Sequence, residues 1–213
     1  MNFSKFLSAN ELPNYNELTP KSVEEILDKL IPETKNLIKT INQNKNSSWE
    51  TIIEPISVET EKINRIWGAC NHLSSVIDSP EWRKLINNKM PMVTNFWTEL
   101  TQDEKLYKKI DSLKKNNFIQ SNLTKKKVVS NYLKEFKLGG TELKKNEKKK
   151  FKTNSTMLAE LSQKYSENLL DSTKESYIHL SSNSLKNQPN RLNGIPEHVI
   201  KAAKENASQK KLS

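Results

Sequence analysis

Ile63-Asn64-Arg65-Ile66-Trp67-Gly68-Ala69-Cys70-Asn71-His72-Leu73-Ser74-Ser75-Val76-Ile77 is the stretch whose reading sets the fold class. Ile63, Ile66, Trp67, Cys70, Leu73 and Ile77 recur at steps of three and four, which places them on one stripe of a helix. Upstream, Thr19-Pro20 pairs a helix N-cap with proline at the first helical position. Behind it Val23, Ile26, Leu27, Leu30 and Ile31 share a face that continues to Leu37, Ile38 and Ile41. Pro32 interrupts that face, so a kink or two short helices are expected there. A polar loop follows over Asn42 to Ser48, and Ser47-Ser48-Trp49-Glu50 has the spacing of a capping box.

Downstream, Ser79-Pro80-Glu81 restarts a helix bearing Trp82, Leu85, Ile86, Val93, Trp97 and Leu100. Thr101-Gln102-Asp103-Glu104 reads as a second capping box before Leu106, Tyr107, Ile110 and Leu113. Thr124 is the expected cap of a helix carrying Val128, Tyr132, Leu133 and Phe136, stopped at Gly139-Gly140. A long periodic run then spans Phe151, Met157, Leu158, Leu161, Tyr165 and Leu169. Period-two alternation is not sustained anywhere, and with 4 glycines a turn-rich β fold is excluded. The expectation is an all-α, multi-helix bundle of six or seven helices over residues 1–180. Residues 181–213 form a loop-rich segment in which only Ile195 to Ala207 returns to helix before a frayed end.

Of the 213 residues, 34% are apolar, which is little for a chain of this size. One cysteine excludes a disulfide framework and any multi-cysteine metal site. No apolar run approaches the ~20 residues that cross a bilayer, and Met1 to Ser8 lack the apolar core of a signal peptide. A soluble, cytoplasmic protein with no membrane partner is expected. The net charge of +10 is unevenly placed: Lys105 to Lys152 holds 16 lysines against Asp111, Glu135, Glu142 and Glu147. A lysine-rich stretch of this kind is the basis of one functional reading, a helical module that binds nucleic acid through phosphates. The chain has only three arginines, Arg65, Arg83 and Arg191, and the bidentate reading of bases or phosphates favours arginine.

The motifs of catalysis are not found. The histidines are His72, His179 and His198, and no two stand four apart as a zinc helix requires. Cys70 and His72 lie two apart and so diverge on a helix, giving a core thiol beside a surface imidazole. Glu197-His198 has no second ligand nearby in sequence. There is no glycine-rich phosphate loop and no Gly-x-Ser-x-Gly elbow. Glu24-Glu25 and Glu59/Glu61 fall on polar helix faces, and the tryptophans are helically spaced, as core residues are. No catalytic, cofactor-binding or metal-ligating residue is assigned.

Several segments, taken in order, resemble the N-terminal helical region of the thimet-oligopeptidase family of zinc metallopeptidases, and of its oligopeptidase A branch. They are Glu11-Leu12-Pro13 with Leu18-Thr19-Pro20, Ser48-Trp49-Glu50 with Pro55, His72-Leu73-Ser74-Ser75-Val76, and Asp78-Ser79-Pro80-Glu81. Phe136-Lys137-Leu138-Gly139-Gly140 with Leu143, Leu158-Ala159-Glu160-Leu161-Ser162, Tyr165 to Thr173, and Asn193-Gly194-Ile195-Pro196-Glu197 continue the order. The resemblance covers residues 10–207 and implies one wall of a channel in which short peptides are cut. Family members are about three times longer, and their His-Glu-x-x-His zinc helix falls outside this region. The resemblance therefore implies a truncated or separately encoded domain that is inactive by itself, with zinc held only in a catalytic half as partner. A domain separated from its partner has fewer buried positions, which fits the low apolar content. It also predicts an exposed apolar face around Met157, Leu161, Tyr165 and Leu169.

Overall fold

A computed structural model describes residues 4–8 and 13–212. Met1 to Phe3, Glu11 and Leu12, on which parts of the sequence reading rest, lie outside the described residues. Ten α-helices occur among the described residues: α1 (Ser4–Leu7), α2 (Pro20–Gln43), α3 (Glu54–Ile77), α4 (Pro80–Thr101), α5 (Glu104–Ser112), α6 (Asn117–Gln120), α7 (Leu123–Leu138), α8 (Lys145–Glu175), α9 (Ser182–Asn187) and α10 (Glu197–Gln209). No strand occurs among these residues, so the fold is all-α as expected. The count exceeds six or seven because α1, α6 and α9 are single-turn or two-turn helices whose length leaves no periodicity to read.

Local signals explain most helix ends. Thr19 Oγ1 accepts the Ser22 backbone N–H at 3.1 Å, Ser22 closes the box in return, and Pro20 opens α2. Ser79 caps α4 with Pro80 behind it, as read. Other caps sit where the sequence reading did not put them. The box expected at Ser47 and Glu50 forms one residue later between Ser48 and Thr51, at the head of a wide π-type turn, Trp49–Ile53, that runs into α3. The Thr101 hydroxyl is already committed to the Trp97 carbonyl at 3.0 Å, so α5 is capped by Asp103, which accepts from Lys105 and Leu106 at 2.9 and 3.0 Å. Asn122, two residues before Thr124, caps α7 by accepting the Lys125 N–H at 3.0 Å. Pro32 does not divide α2: Leu30, Ile31, Thr34 and Ile38 are buried on both sides of it, and that packing outweighs one missing hydrogen bond.

Residues 1–163 and 164–213 pack as two units. In the first, α2, α3 and α4 pack on one another, and α5 and α7 close against α2 and α4. Ile26, Leu27, Ile63, Ile66, Phe96 and Phe136 are among its fully buried side chains. Two corners hold these helices in place. At the first, Asp78 takes a left-handed conformation (φ 46°) that stops α3, and Arg83 grips its carboxylate at 2.6 and 2.9 Å. At the second, Gly140 has φ 90°, and a Cβ on Gly139 would stand 2.2 Å from Thr101 Oγ1, so the end of α7 approaches the end of α4 as closely as glycine permits. In the second unit, the Lys210 ammonium donates to the Lys174 carbonyl at 3.2 Å and lies 4.5 Å from the Tyr177 ring centre. Residues 182–187, read as loop, form α9, capped by Ser181.

Candidate functional site

The thiol and imidazole that the sequence brings forward do not form a reactive pair. Cys70 is fully buried and burial pushes its thiol up to about 12, so it has no thiolate character near neutral pH. His72 is exposed and tilts against Tyr15, with ring centres 5.2 Å apart. Among the described residues no three His, Cys, Asp or Glu side chains lie close enough to hold a metal ion, so these residues do not fit a zinc centre. Glu24 and Glu59 lie on helix surfaces and take lysine partners, Lys89 at 3.0 Å and Lys62 at 2.5 Å.

The lysine-rich stretch divides between intramolecular work and solvent. Lys109 donates to the Asn44 carbonyl, Lys114 pairs with Asp111, Lys137 pairs with Glu142, and Lys125 stands 4.0 Å from the Phe118 ring centre. Lys148 and Lys152 fasten the first half of α8 to the body. Lys148, only 16% exposed, meets Glu104 at 2.5 Å, and Lys152 meets Glu99 at 2.5 Å. Glu99 also takes Lys35 at 2.6 Å. Burial of the Glu99 carboxyl works to raise its pKa, but the hydrogen bonds from Lys152 and Lys35 outweigh it and hold the group below the usual carboxylate range. The Lys148 hydrogen bond does the same for Glu104.

A row of exposed apolar side chains lies on α8. This helix has 31 residues and none of them is buried. Met157, Leu161, Tyr165 and Leu169 are 54%, 58%, 68% and 56% exposed, on the face where the sequence put an exposed apolar row. A fourfold spacing keeps these side chains on one side of the helix. Leu158 and Leu170 widen the row.

A groove of about 310 Å³ opens between α3, α4 and α7. Trp97, Tyr132 and Phe136 form its aromatic lining, and Asn64, Asn131 and Glu135 lie at its exposed mouth. The Tyr132 hydroxyl shares a 2.9 Å hydrogen bond with Ser57 Oγ, and burial pushes its phenol above the usual range. The sequence reading missed these mouth residues, because polar side chains on three separate helices leave no local pattern. Trp97 and Phe136 were visible only as members of apolar stripes.

Residues 23–149 match the family described as Neurolysin/Thimet oligopeptidase, N-terminal domain. Oligopeptidase A of Escherichia coli (strain K12) is 30% identical over 208 residues, which is 97% of this chain and 30% of that protein. Oligopeptidase A of Haemophilus influenzae is 28% identical over 207 residues, again 97% of this chain and 30% of the relative. Probable cytosolic oligopeptidase A of Arabidopsis thaliana is 28% identical over 154 residues, 72% of this chain and 21% of the relative. The chain thus spans 30% of the length of the two bacterial relatives. It belongs to the neurolysin/thimet oligopeptidase family and corresponds to that family's N-terminal domain.

Proposed function

We propose that this chain is the non-catalytic helical wall of an oligopeptidase A-like zinc peptidase that degrades short peptides when complete. Residues 1–180 form the wall and residues 181–213 the segment that follows it. The wall limits access to small unfolded peptides, while zinc and the general base belong to a catalytic part outside these residues. The chain by itself hydrolyses nothing. A cytoplasmic location goes with this reading, and no described helix is long and apolar enough to cross a membrane.

The observation that carries the reading is the bare apolar row on α8. A 31-residue helix with no buried residue and five large apolar side chains more than half exposed is a face built for a cover. The reading takes that cover to be the catalytic part, and it is supported by bacterial relatives of which this chain spans 30% of the length.

The test is reconstitution. The purified chain and the C-terminal remainder of the Escherichia coli relative are assayed separately and mixed, on a fluorogenic short peptide with zinc present. Neither part is expected to cleave, and the mixture is expected to cleave in a manner abolished by a chelator. Cleavage by this chain alone, or a mixture that forms no complex and gains no activity, overturns the reading.

A further inference from the structure

The groove between α3, α4 and α7 holds an acid whose situation is unlike that of its neighbours. Four acids lie among the 16 lysines of Lys105 to Lys152. Asp111 is paired with Lys114 at 2.9 Å and Glu142 with Lys137 at 3.1 Å, while Glu147 accepts the Lys144 backbone N–H at 2.9 Å. The Glu135 side chain has no hydrogen bond or ion pair among the described residues. The reason is local: its helix neighbours at three and four residues are Asn131, Tyr132, Leu138 and Gly139, none of them cationic. Its carboxylate stands at the mouth of an aromatic groove.

The rest of the groove narrows what that carboxylate meets. The hydroxyls are engaged: Thr60 donates to the Ile56 carbonyl at 2.7 Å, Thr101 to the Trp97 carbonyl at 3.0 Å, and Tyr132 shares its bond with Ser57. The side-chain amides of Asn64 and Asn131 have no partner among the described residues. A carboxamide offers one acceptor and two donors, which matches the N–H and C=O of a peptide backbone. Trp97 and Tyr132, each partly exposed, present ring surface to a cation, and Val128 suits the methylenes of a long basic side chain.

We infer that this groove is a subsite for a lysine or arginine side chain of a bound peptide. The stem lies on the aromatic floor, the charged head meets Glu135, and Asn64 and Asn131 hold the adjoining backbone. The inference deepens the peptide reading above and takes from it the identity of the ligand as a peptide.

The experiment uses the intact chain and three probes, acetyl-Gly-Arg-Gly-amide and its leucine and glutamate counterparts, titrated calorimetrically at low salt. The arginine peptide is expected to bind about tenfold more tightly than the leucine peptide, a difference of about 1.4 kcal/mol. The net charge of +10 attracts the glutamate peptide, so a preference for arginine cannot come from the overall field. Glu135→Gln, at an exposed position, is expected to erase the preference, and Asn131→Ala to weaken the arginine and leucine peptides alike. No binding at millimolar peptide, equal binding of the arginine and glutamate peptides, or a preference that survives Glu135→Gln overturns the inference. If reconstitution succeeds and the arginine preference is absent, only the subsite falls. If the preference is present and reconstitution fails, the subsite stands and the wall reading falls.

Discussion

Helices α3 and α8 carry the same kind of sequence pattern and meet opposite fates. Along α3, Ile56, Ile63, Ile66, Cys70 and Leu73 disappear into the core, between α2 and α4. Along α8, no residue is buried, and its first half is fastened through Lys148, Lys152 and a 3.4 Å contact from Thr156 to Asn95. Periodicity in a sequence therefore specifies which side of a helix is apolar but not what covers it. In α8 the polar side chains of the first half are engaged while the large apolar ones stay exposed.

The sharpest way to break this comparison is to truncate equivalent side chains in the two helices. Ile63→Ala in α3 is expected to cost about 2–5 kcal/mol, the range for emptying a packed core site. Leu161→Ala in α8 is expected to stay within about 0.5 kcal/mol. Urea unfolding followed by circular dichroism measures both, and a loss at Leu161 comparable to that at Ile63 would mean that α8 is covered in solution.

Smaller than the core effect is that of the α4–α7 corner. Gly139→Ala places a Cβ 2.2 Å from Thr101 Oγ1 and is expected to destabilise by about 1–3 kcal/mol, as overpacking does. Thr101→Ser leaves that hydroxyl in place, so it should not relieve the loss. Thr101→Gly should relieve part of it. Thermal unfolding of the single and double variants checks this.

The smallest effects belong to the ionic fastening of α8. Glu99→Gln is expected to cost no more than a few tenths of a kcal/mol globally, because its lysine pairs are partly exposed and screened. Locally the change is visible. Glu99 and Glu104 have depressed pKa values in the folded chain, so their contribution is complete above the ordinary value of about 4.3 and is lost as pH falls through the lower folded values. Amide exchange over 145–163, corrected for its intrinsic pH dependence, is expected to quicken below about pH 4, before exchange in α3 does. It is also expected to quicken on raising salt at neutral pH. Cys70 provides a control on the other helix: at pH 8 a thiol reagent should leave it unmodified until the chain is unfolded.

Much of the fold was legible because its signals are local. The stripes of α2, α3, α4 and α7, the Ser79-Pro80 start and the Gly139-Gly140 stop all depend on residues close in sequence. The misplaced caps share a cause: Ser47, Thr101 and Thr124 each have a suitable side chain, but a neighbour had the better geometry, or the hydroxyl was already bonded to its own helix. Pro32 misled because the packing that holds α2 together comes from other helices. The exposed row on α8 was legible only through the family resemblance, since nothing in a periodic pattern distinguishes a covered face from a bare one. The groove was not legible at all, because Asn64, Trp97 and Glu135 meet only once three helices have packed.

The central claim is that the α8 row is a docking face for the catalytic part of an oligopeptidase, and sedimentation of the mixed parts tests it most directly. The chain and the C-terminal remainder of the Escherichia coli relative should sediment as a complex. Leu161→Glu with Leu169→Glu should abolish that complex while leaving the melting temperature of the chain unchanged. A complex that forms equally well with the doubly substituted chain would contradict the account.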